Sequence, residues 1–144
     1  MNIKPVIWVI DDEPLIGRLV RYIVQAVGLE CVYCSSVSDF LSTFDPNKPA
    51  YILLDMEMPD TNGIELLEKW LERGNIHPVI VMTAETDLSL VVRALKLGAA
   101  DFIPKPFDQQ SLIESVRRVI ETYTPVWQTL QQVAQPKTNQ VAII

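Results

Sequence analysis

The feature that most constrains the fold is an alternation of short apolar runs with segments of helical periodicity. The runs are rich in Val, Ile and aromatic residues, which is typical of strands buried in a parallel sheet. Five such runs lie at residues 5–10, 30–34, 49–55, 77–82 and 100–103. Alternating strands and helices predict an α/β protein with a doubly wound parallel sheet between two layers of helices.

The predicted helices have identifiable starts and stops. Pro14 suits the first turn of a helix that ends at Gly28, and Asp87 and Asp108 are placed to cap later helices. The helices are expected at residues 14–27, 37–44, 63–73, 88–97 and from 109 onward. The apolar stripe that the fourth helix is expected to bury comprises Leu88, Val91, Val92 and Leu95. Its partly exposed face is expected to comprise Leu90, Ala94 and Leu97.

Composition excludes several classes of protein. The chain has 144 residues, a net charge of −6 and a pI of about 4.7, which indicates one acidic domain and disfavours nucleic-acid binding through the overall field. No apolar stretch reaches the ~20 residues that a membrane span needs, and the first residues do not form a signal peptide. The sequence therefore predicts a cytoplasmic protein. Cys31 and Cys34 have the spacing of a redox or zinc motif, but without a second Cys or His pair they are predicted to be packing residues.

Reactive side chains stand where the predicted strands end. Asp11 and Asp12 follow the first strand, and Asp55 closes the third. Thr83 follows the fourth strand and Lys105 the fifth. Because the carboxyl ends of parallel strands meet at one edge of a sheet, we expect these side chains to converge there. Clustered carboxylates suit Mg²⁺, and Asp55 would then be free to attack a phosphoryl donor.

Residues 4–122 resemble the receiver domain of bacterial two-component response regulators. The motifs that carry the resemblance are Asp11-Asp12, the run 55–59 with Gly63, Thr83-Ala84, and the run 102–107. The resemblance implies a flavodoxin-like (βα)5 fold with strand order 2-1-3-4-5. Residues 1–122 are accordingly predicted to be the receiver domain, with 123–144 as a C-terminal tail or linker and no output domain.

The resemblance also implies a metal site and a phosphorylation site. Asp55 is expected to accept a phosphoryl group from a histidine kinase or a phosphotransfer protein. Mg²⁺ is expected to be held by Asp12, Asp55 and the backbone carbonyl of Glu57, with Asp11 acting mainly through water. The side chain of Glu57 is expected to influence how fast water hydrolyses the acyl phosphate. The domain is thus expected to be no turnover enzyme but a phosphoacceptor that promotes its own phosphorylation and dephosphorylation.

A switch follows from the same resemblance. Thr83 and Lys105 are expected to contact the phosphoryl group, and the Lys105–Pro106 peptide bond is expected to be cis. Thr83 would move toward the phosphoryl oxygens while Phe102 turns inward. The surface formed by the fourth helix, the fifth strand and the fifth helix is then the expected dimer or effector surface.

Three alternatives stay open. The chain is either a stand-alone receiver or the N-terminal fragment of a DNA-binding transcriptional regulator. A phosphatase of the haloacid dehalogenase type also uses an Asp nucleophile, and a flavodoxin also has this fold class. In the tail, Val126, Leu130, Val133 and Ala134 allow a short amphipathic helix, but a linker broken by Pro125 is the favoured prediction.

Overall fold

The computed structural model describes residues 4–59, 61–84 and 88–134, with side chains described as far as residue 130. The strands are β1 Val6–Ile10, β2 Glu30–Cys34, β3 Ala50–Asp55, β4 Val79–Thr83 and β5 Asp101–Pro104. The helices are α1 Pro14–Ala26, α2 Val37–Thr43, α3 Gly63–Glu72, α4 Leu88–Leu97 and α5 Gln109–Ala134. The strands form one parallel sheet in the order β2-β1-β3-β4-β5, which confirms the predicted flavodoxin-like topology.

The sheet separates two hydrophobic layers, and β3 shows how one strand serves both. Tyr51 and Leu53 face the layer formed with α1 and α5. Ile52 and Leu54 face the layer formed with α2, α3 and α4. Successive side chains of a strand point to opposite faces of a sheet, so a run that is apolar at every position suits a central strand. Its carboxyl end is thereby held rigidly at the edge of the sheet.

Helix ends agree with the predicted signals within the described residues. Gly28, Gly74 and Gly98 adopt positive φ angles of 88°, 77° and 115° where α1, α3 and α4 end, a conformation that favours glycine. The side chain of Asp108 accepts a hydrogen bond from the backbone N–H of Ser111 at 2.7 Å, as a cap of α5 does. Asp87, predicted to cap α4, lies outside the described residues.

The predicted orientation of α4 is wrong. Leu88, Val92 and Leu95 are exposed at 73%, 45% and 42%, although they were expected in the core with Val91. Ala94 is buried, and Leu90 and Leu97 pack against the layer beneath the helix. Apolar residues surround this helix almost completely, so their spacing alone does not select the buried face.

The prediction of a linker over residues 123–144 is also wrong for part of that segment. The helix α5 continues through Pro125 to Ala134, although Pro125 was expected to break it. Trp127 is only 7% exposed and belongs to the layer shared with α1. Burial of the Trp127 ring favours the helical continuation and offsets part of the cost of a proline inside the helix. Among the described helices, none combines the length and apolar character that crossing a membrane requires.

Candidate functional site

The three carboxylates of the predicted site lie together. Asp11 follows β1 and is completely buried, and Asp55 ends β3 with 2% exposure. One carboxylate oxygen from each of Asp11, Asp12 and Asp55 can be chosen so that all three lie within 4.8 Å of one another. Two chain segments that are far apart in sequence meet here because β1 and β3 are paired along their whole common length. This is the convergence that the strand ends predicted.

Lys105 reaches the same cluster from the end of β5. Its Nζ lies 2.8 Å from Asp11 Oδ2 and 3.3 Å from Asp55 Oδ1. Burial disfavours the ammonium, but hydrogen bonds and charges from Asp11 and Asp55 outweigh it, so the pKa of Lys105 is raised. The backbone N–H of Lys105 donates to the carbonyl of Thr83 at 2.8 Å, and the following Lys105–Pro106 bond is cis as expected. The Lys105 ammonium thus contacts residues at the ends of β1 and β3, and its backbone is bonded to the end of β4.

Asp55 is the most perturbed acid of the site. Burial, followed by the nearby charge of Asp11, raises the pKa of Asp55 to about 6. A hydrogen bond from the backbone N–H of Glu57 at 3.1 Å and the ammonium of Lys105 act in the opposite direction without cancelling the shift. Any further positive charge placed among the three carboxylates would therefore stabilise the ionised form of Asp55.

Thr83 ends β4 and is 2% exposed. Its hydroxyl donates to Glu57 Oε1 at 3.4 Å, and the backbone N–H of Ala84 donates to the same oxygen. The sequence prediction assigned Glu57 a backbone carbonyl role and an influence on hydrolysis, and it missed this side-chain contact. No signal in the sequence predicts it, because the contact depends on how the loops after β3 and β4 face each other.

Phe102 lies on β5 and is half-buried, packed against the layer formed with α2, α3 and α4. Its ring therefore has room to become more buried, as the predicted switch requires. A second contact that the sequence did not predict positions Asp11: the hydroxyl of Tyr33 donates to the Asp11 carbonyl at 2.8 Å. The Tyr33 ring fills the space where a Cβ on Gly17 would stand, so a larger residue there would displace the ring that bonds to Asp11.

The donor set fits a hard divalent cation. Mg²⁺ prefers oxygen ligands at about 2.1 Å, which places ligand oxygens roughly 3 to 4 Å apart in an octahedron. The three carboxylates, with oxygens within 4.8 Å of one another, need only a small contraction to reach that geometry. All three are oxygen donors, and no Cys or His among the described residues joins them. These properties favour Mg²⁺ over the softer transition metals.

Comparison with known proteins places the chain in a family. The family described as response regulator receiver domain matches residues 7–117. The chain is 32% identical over 138 residues to the DNA-binding transcriptional regulator NtrC of Salmonella typhimurium, covering 96% of this chain and 28% of NtrC. It is 39% identical over 109 residues to the transcriptional regulatory protein FixJ of Azorhizobium caulinodans, covering 76% of this chain and 52% of FixJ.

Solved structures agree. A low-resolution structure of the response regulator StyR superposes with a TM-score of 0.81 at 31% identity, covering 90% of this chain and 65% of StyR. A crystal structure of FixJ-N gives a TM-score of 0.75 at 30% identity, covering 84% of this chain and 96% of FixJ-N.

The chain belongs to the response regulator receiver domains of two-component systems. A receiver in such a system implies a histidine kinase or phosphotransfer protein as partner, and receivers generally bind Mg²⁺ at an acidic cluster like the one seen here. The chain spans about a quarter of the length of NtrC and about half that of FixJ.

Proposed function

We propose that this receiver is a phosphorylation-dependent switch and that Asp55 is its phosphoacceptor. The observation that carries the proposal is the position of Asp55: a buried carboxylate, in contact with the Lys105 ammonium at 3.3 Å, beside two further carboxylates. The donor is a phosphohistidine of a kinase or phosphotransfer protein. A carboxylate oxygen of Asp55 bonds to phosphorus, the P–N bond breaks, and the imidazole leaves with the electron pair and takes up a proton.

The chain's own groups divide the work at that step. Asp12, Asp55 and the Glu57 carbonyl are proposed to hold Mg²⁺, with Asp11 acting mainly through water. Mg²⁺ bound there would supply positive charge that favours the ionised form of Asp55 and offsets charge on the transferring group. Lys105 contacts one phosphoryl oxygen and Thr83 donates to another. The domain thereby promotes its own phosphorylation and dephosphorylation and is no turnover enzyme.

The proposed readout is the surface of α4, β5 and α5. Thr83 moves toward the phosphoryl oxygens, and Phe102 turns inward from its half-buried position on β5. The structure corrects which residues this surface presents: Leu88, Val92 and Leu95 are the exposed apolar side chains of α4. A homodimer or an effector bound through this face follows as the proposed consequence of phosphorylation. Sedimentation with and without beryllofluoride tests the homodimer, and an unchanged mass would count against it.

A second proposal concerns the output. NtrC is named a DNA-binding transcriptional regulator, and the chain spans only 28% of its length. We propose that this receiver controls transcription through a DNA-binding domain in the same polypeptide or in a partner. Sequencing the messenger RNA through the codon for Ile144 distinguishes these two arrangements.

Intact-mass spectrometry after incubation with acetyl phosphate and Mg²⁺ tests the phosphoacceptor proposal. We expect a gain of one phosphoryl group in the wild type, none in Asp55→Asn, and an unchanged gain in Asp45→Asn, a matched substitution in the exposed loop before β3. Continued release of phosphate over many turnovers would favour a phosphatase, and yellow purified protein would favour a flavodoxin. A gain that persists in Asp55→Asn would refute the assignment.

A further inference from the structure

The Glu57 carboxylate accepts hydrogen bonds from two donors at the end of another strand, β4. Its Oε1 accepts hydrogen bonds from the Thr83 hydroxyl, at 3.4 Å, and from the backbone N–H of Ala84. Glu57 lies in the loop after β3, whereas both donors lie at the end of β4. The backbone N–H of Glu57 is at the same time bonded to Asp55 Oδ1. A negatively charged group therefore bridges the two strand ends within the hydrogen-bonded surroundings of Asp55.

Thr83 is one of the residues proposed above to contact a phosphoryl group on Asp55, and the Ala84 N–H shares its acceptor with the Thr83 hydroxyl. A phosphoryl group carries more negative charge than a carboxylate and has three strong acceptor oxygens. A donor hydrogen that bonds to Glu57 Oε1 is not available to a phosphoryl oxygen, so the two acceptors compete for the Thr83 hydroxyl and the Ala84 N–H. One of the two anions must therefore leave when the other arrives.

We propose that the Glu57 side chain is an internal occupant of the phosphoryl-binding donors, and that phosphorylation must displace it. This inference rests on the proposed function and gives Glu57 a positioning role that is separate from its backbone carbonyl. Glu57 is exposed, so its carboxylate can move into water at little cost. Before phosphorylation the Glu57 side chain bonds to Thr83 and Ala84, and its departure leaves both donors to the phosphoryl group.

Charge alone offers a competing explanation, since any acid near Asp55 repels an incoming anion. Two substitutions separate contact from charge. Glu57→Asp keeps the charge but shortens the side chain by one methylene, so it withdraws the oxygen from Thr83 and Ala84. Glu57→Gln removes the charge but keeps an acceptor oxygen at the same reach. Glu65→Asp, at an exposed acid in the first turn of α3, is the matched control.

The experiment is a titration of each Mg²⁺-loaded protein with beryllofluoride, followed by the amide NMR signals of Thr83 and Ala84. We expect Glu57→Asp to bind beryllofluoride about three- to tenfold more tightly than the wild type, the range that one competing hydrogen bond supports. Glu57→Gln should gain less, and Glu65→Asp should match the wild type. Before any beryllofluoride is added, the Ala84 amide proton should move upfield in Glu57→Asp, because it has lost a charged acceptor.

Several results would overturn the proposal. Equal affinity in Glu57→Asp and wild type, with tighter binding in Glu57→Gln, would assign the effect to charge alone. Weaker binding in Glu57→Asp would mean that Glu57 assists the phosphoryl group. An unshifted Ala84 amide in Glu57→Asp would refute the contact itself. If the wild type shows no Mg²⁺-dependent binding while the amide still reports the contact, the proposed function fails and the displacement falls with it.

Discussion

The two edges of the sheet differ in what the strands meet there. At the carboxyl edge, β1 and β3 lead into Asp11 and Asp55, and the buried charges are held by Lys105. At the amino edge, β4 is preceded by His77, whose ring packs on Phe44, with centroids 4.9 Å apart, and on Trp127, at 5.1 Å. The carboxyl edge holds clustered carboxylates that a bound cation would stabilise. The amino edge holds packed aromatic rings that stabilise the fold.

The amino edge also explains the length of α5. Thr124 and Trp127, both beyond the predicted end of the domain, face Tyr51 of β3, whose hydroxyl lies 3.5 Å from Thr124 Oγ1. His77 is 3% exposed, and its Nε2 pairs with the carbonyl of Lys48 at 3.1 Å. The extension of α5 is therefore packed onto the receiver, and stability should depend on this edge while phosphorylation depends on the other.

The largest expected effect tests that division directly. Trp127→Ala should lower the free energy of unfolding by about 3–5 kcal/mol, the usual cost of removing a buried tryptophan, as measured by urea denaturation. Leu130→Ala, on the same extension but 39% exposed, is the control and should cost less than about 1 kcal/mol. Folded Trp127→Ala should still gain one phosphoryl group from acetyl phosphate. Equal, small losses in the two variants would mean that the extension is not part of the fold.

The sequence predicted the carboxyl edge better than the amino edge, for physical reasons. Asp55 and Lys105 are fixed by strand ends, and parallel strands bring their ends together whatever the side chains are. The packing of Trp127 depends on a helix continuing past Pro125, where local propensity argues for a break. Tertiary burial overrides that propensity, and a single sequence does not display tertiary burial.

Two further differences between prediction and structure have the same origin. Apolar residues surround α4, so their spacing did not identify its buried face. The sequence predicted a buried Leu95 and a partly exposed Ala94, whereas in the structure Ala94 is buried and Leu95 is exposed. The Glu57 contact joins two loops whose relative position follows from the assembled sheet. Backbone topology was predictable from the pattern of residues, whereas contacts between loops and around an apolar helix were not.

The second prediction concerns the pH response of the carboxyl edge. The folded pKa of Asp55, about 6, lies above its ordinary value of 3.8, so the folded protein keeps a proton that the unfolded chain has lost between these values. Relative to Asp55→Asn, the metal-free wild type should therefore lose stability as pH rises from about 4 to about 6, with no further relative change above. Asp55→Asn lacks this loss and should be about 1–3 kcal/mol more stable at pH 7, since each pKa unit corresponds to about 1.4 kcal/mol.

Urea denaturation in the presence of a chelator at several pH values measures this difference. It should shrink as pH falls toward 4 and vanish below about pH 3, where Asp55 of the wild type is protonated in both the folded and the unfolded state. Adding Mg²⁺ should reduce the difference at pH 7, because the cation stabilises the wild-type carboxylate. Parallel stability curves for the two proteins from pH 4 to pH 7 would contradict the perturbed pKa of Asp55.

The amino edge should respond to acid with the opposite sign. Burial lowers the pKa of His77 although the carbonyls of Lys48 and Pro46 favour the charged ring. The unfolded chain therefore binds a proton below pH ~6.5 that the folded protein does not, and stability falls on acidification by at most about 1.4 kcal/mol per pH unit. His77→Gln keeps a donor for Lys48 and removes the titration of His77. In the Asp55→Asn background, where the opposing titration of Asp55 is absent, it should make the urea denaturation midpoint change less between pH 7 and pH 5. If Asp55→Asn alone is as flat as the double variant, folding does not lower the pKa of His77.

The smallest expected effect defines where the charged edge ends. Glu13 Oε1 lies 3.7 Å from Lys105 Nζ, but the Glu13 side chain is 65% exposed, whereas that of Asp11 at 2.8 Å is fully buried. Water screens the outer pair, so Glu13→Gln should change the free energy of unfolding by less than about 1 kcal/mol. High salt should remove even that difference. Urea denaturation at low and high salt measures both quantities. A larger, salt-independent loss would place Glu13 inside the buried cluster, and the boundary between the ligand-binding charges and the solvated ones would have to move outward.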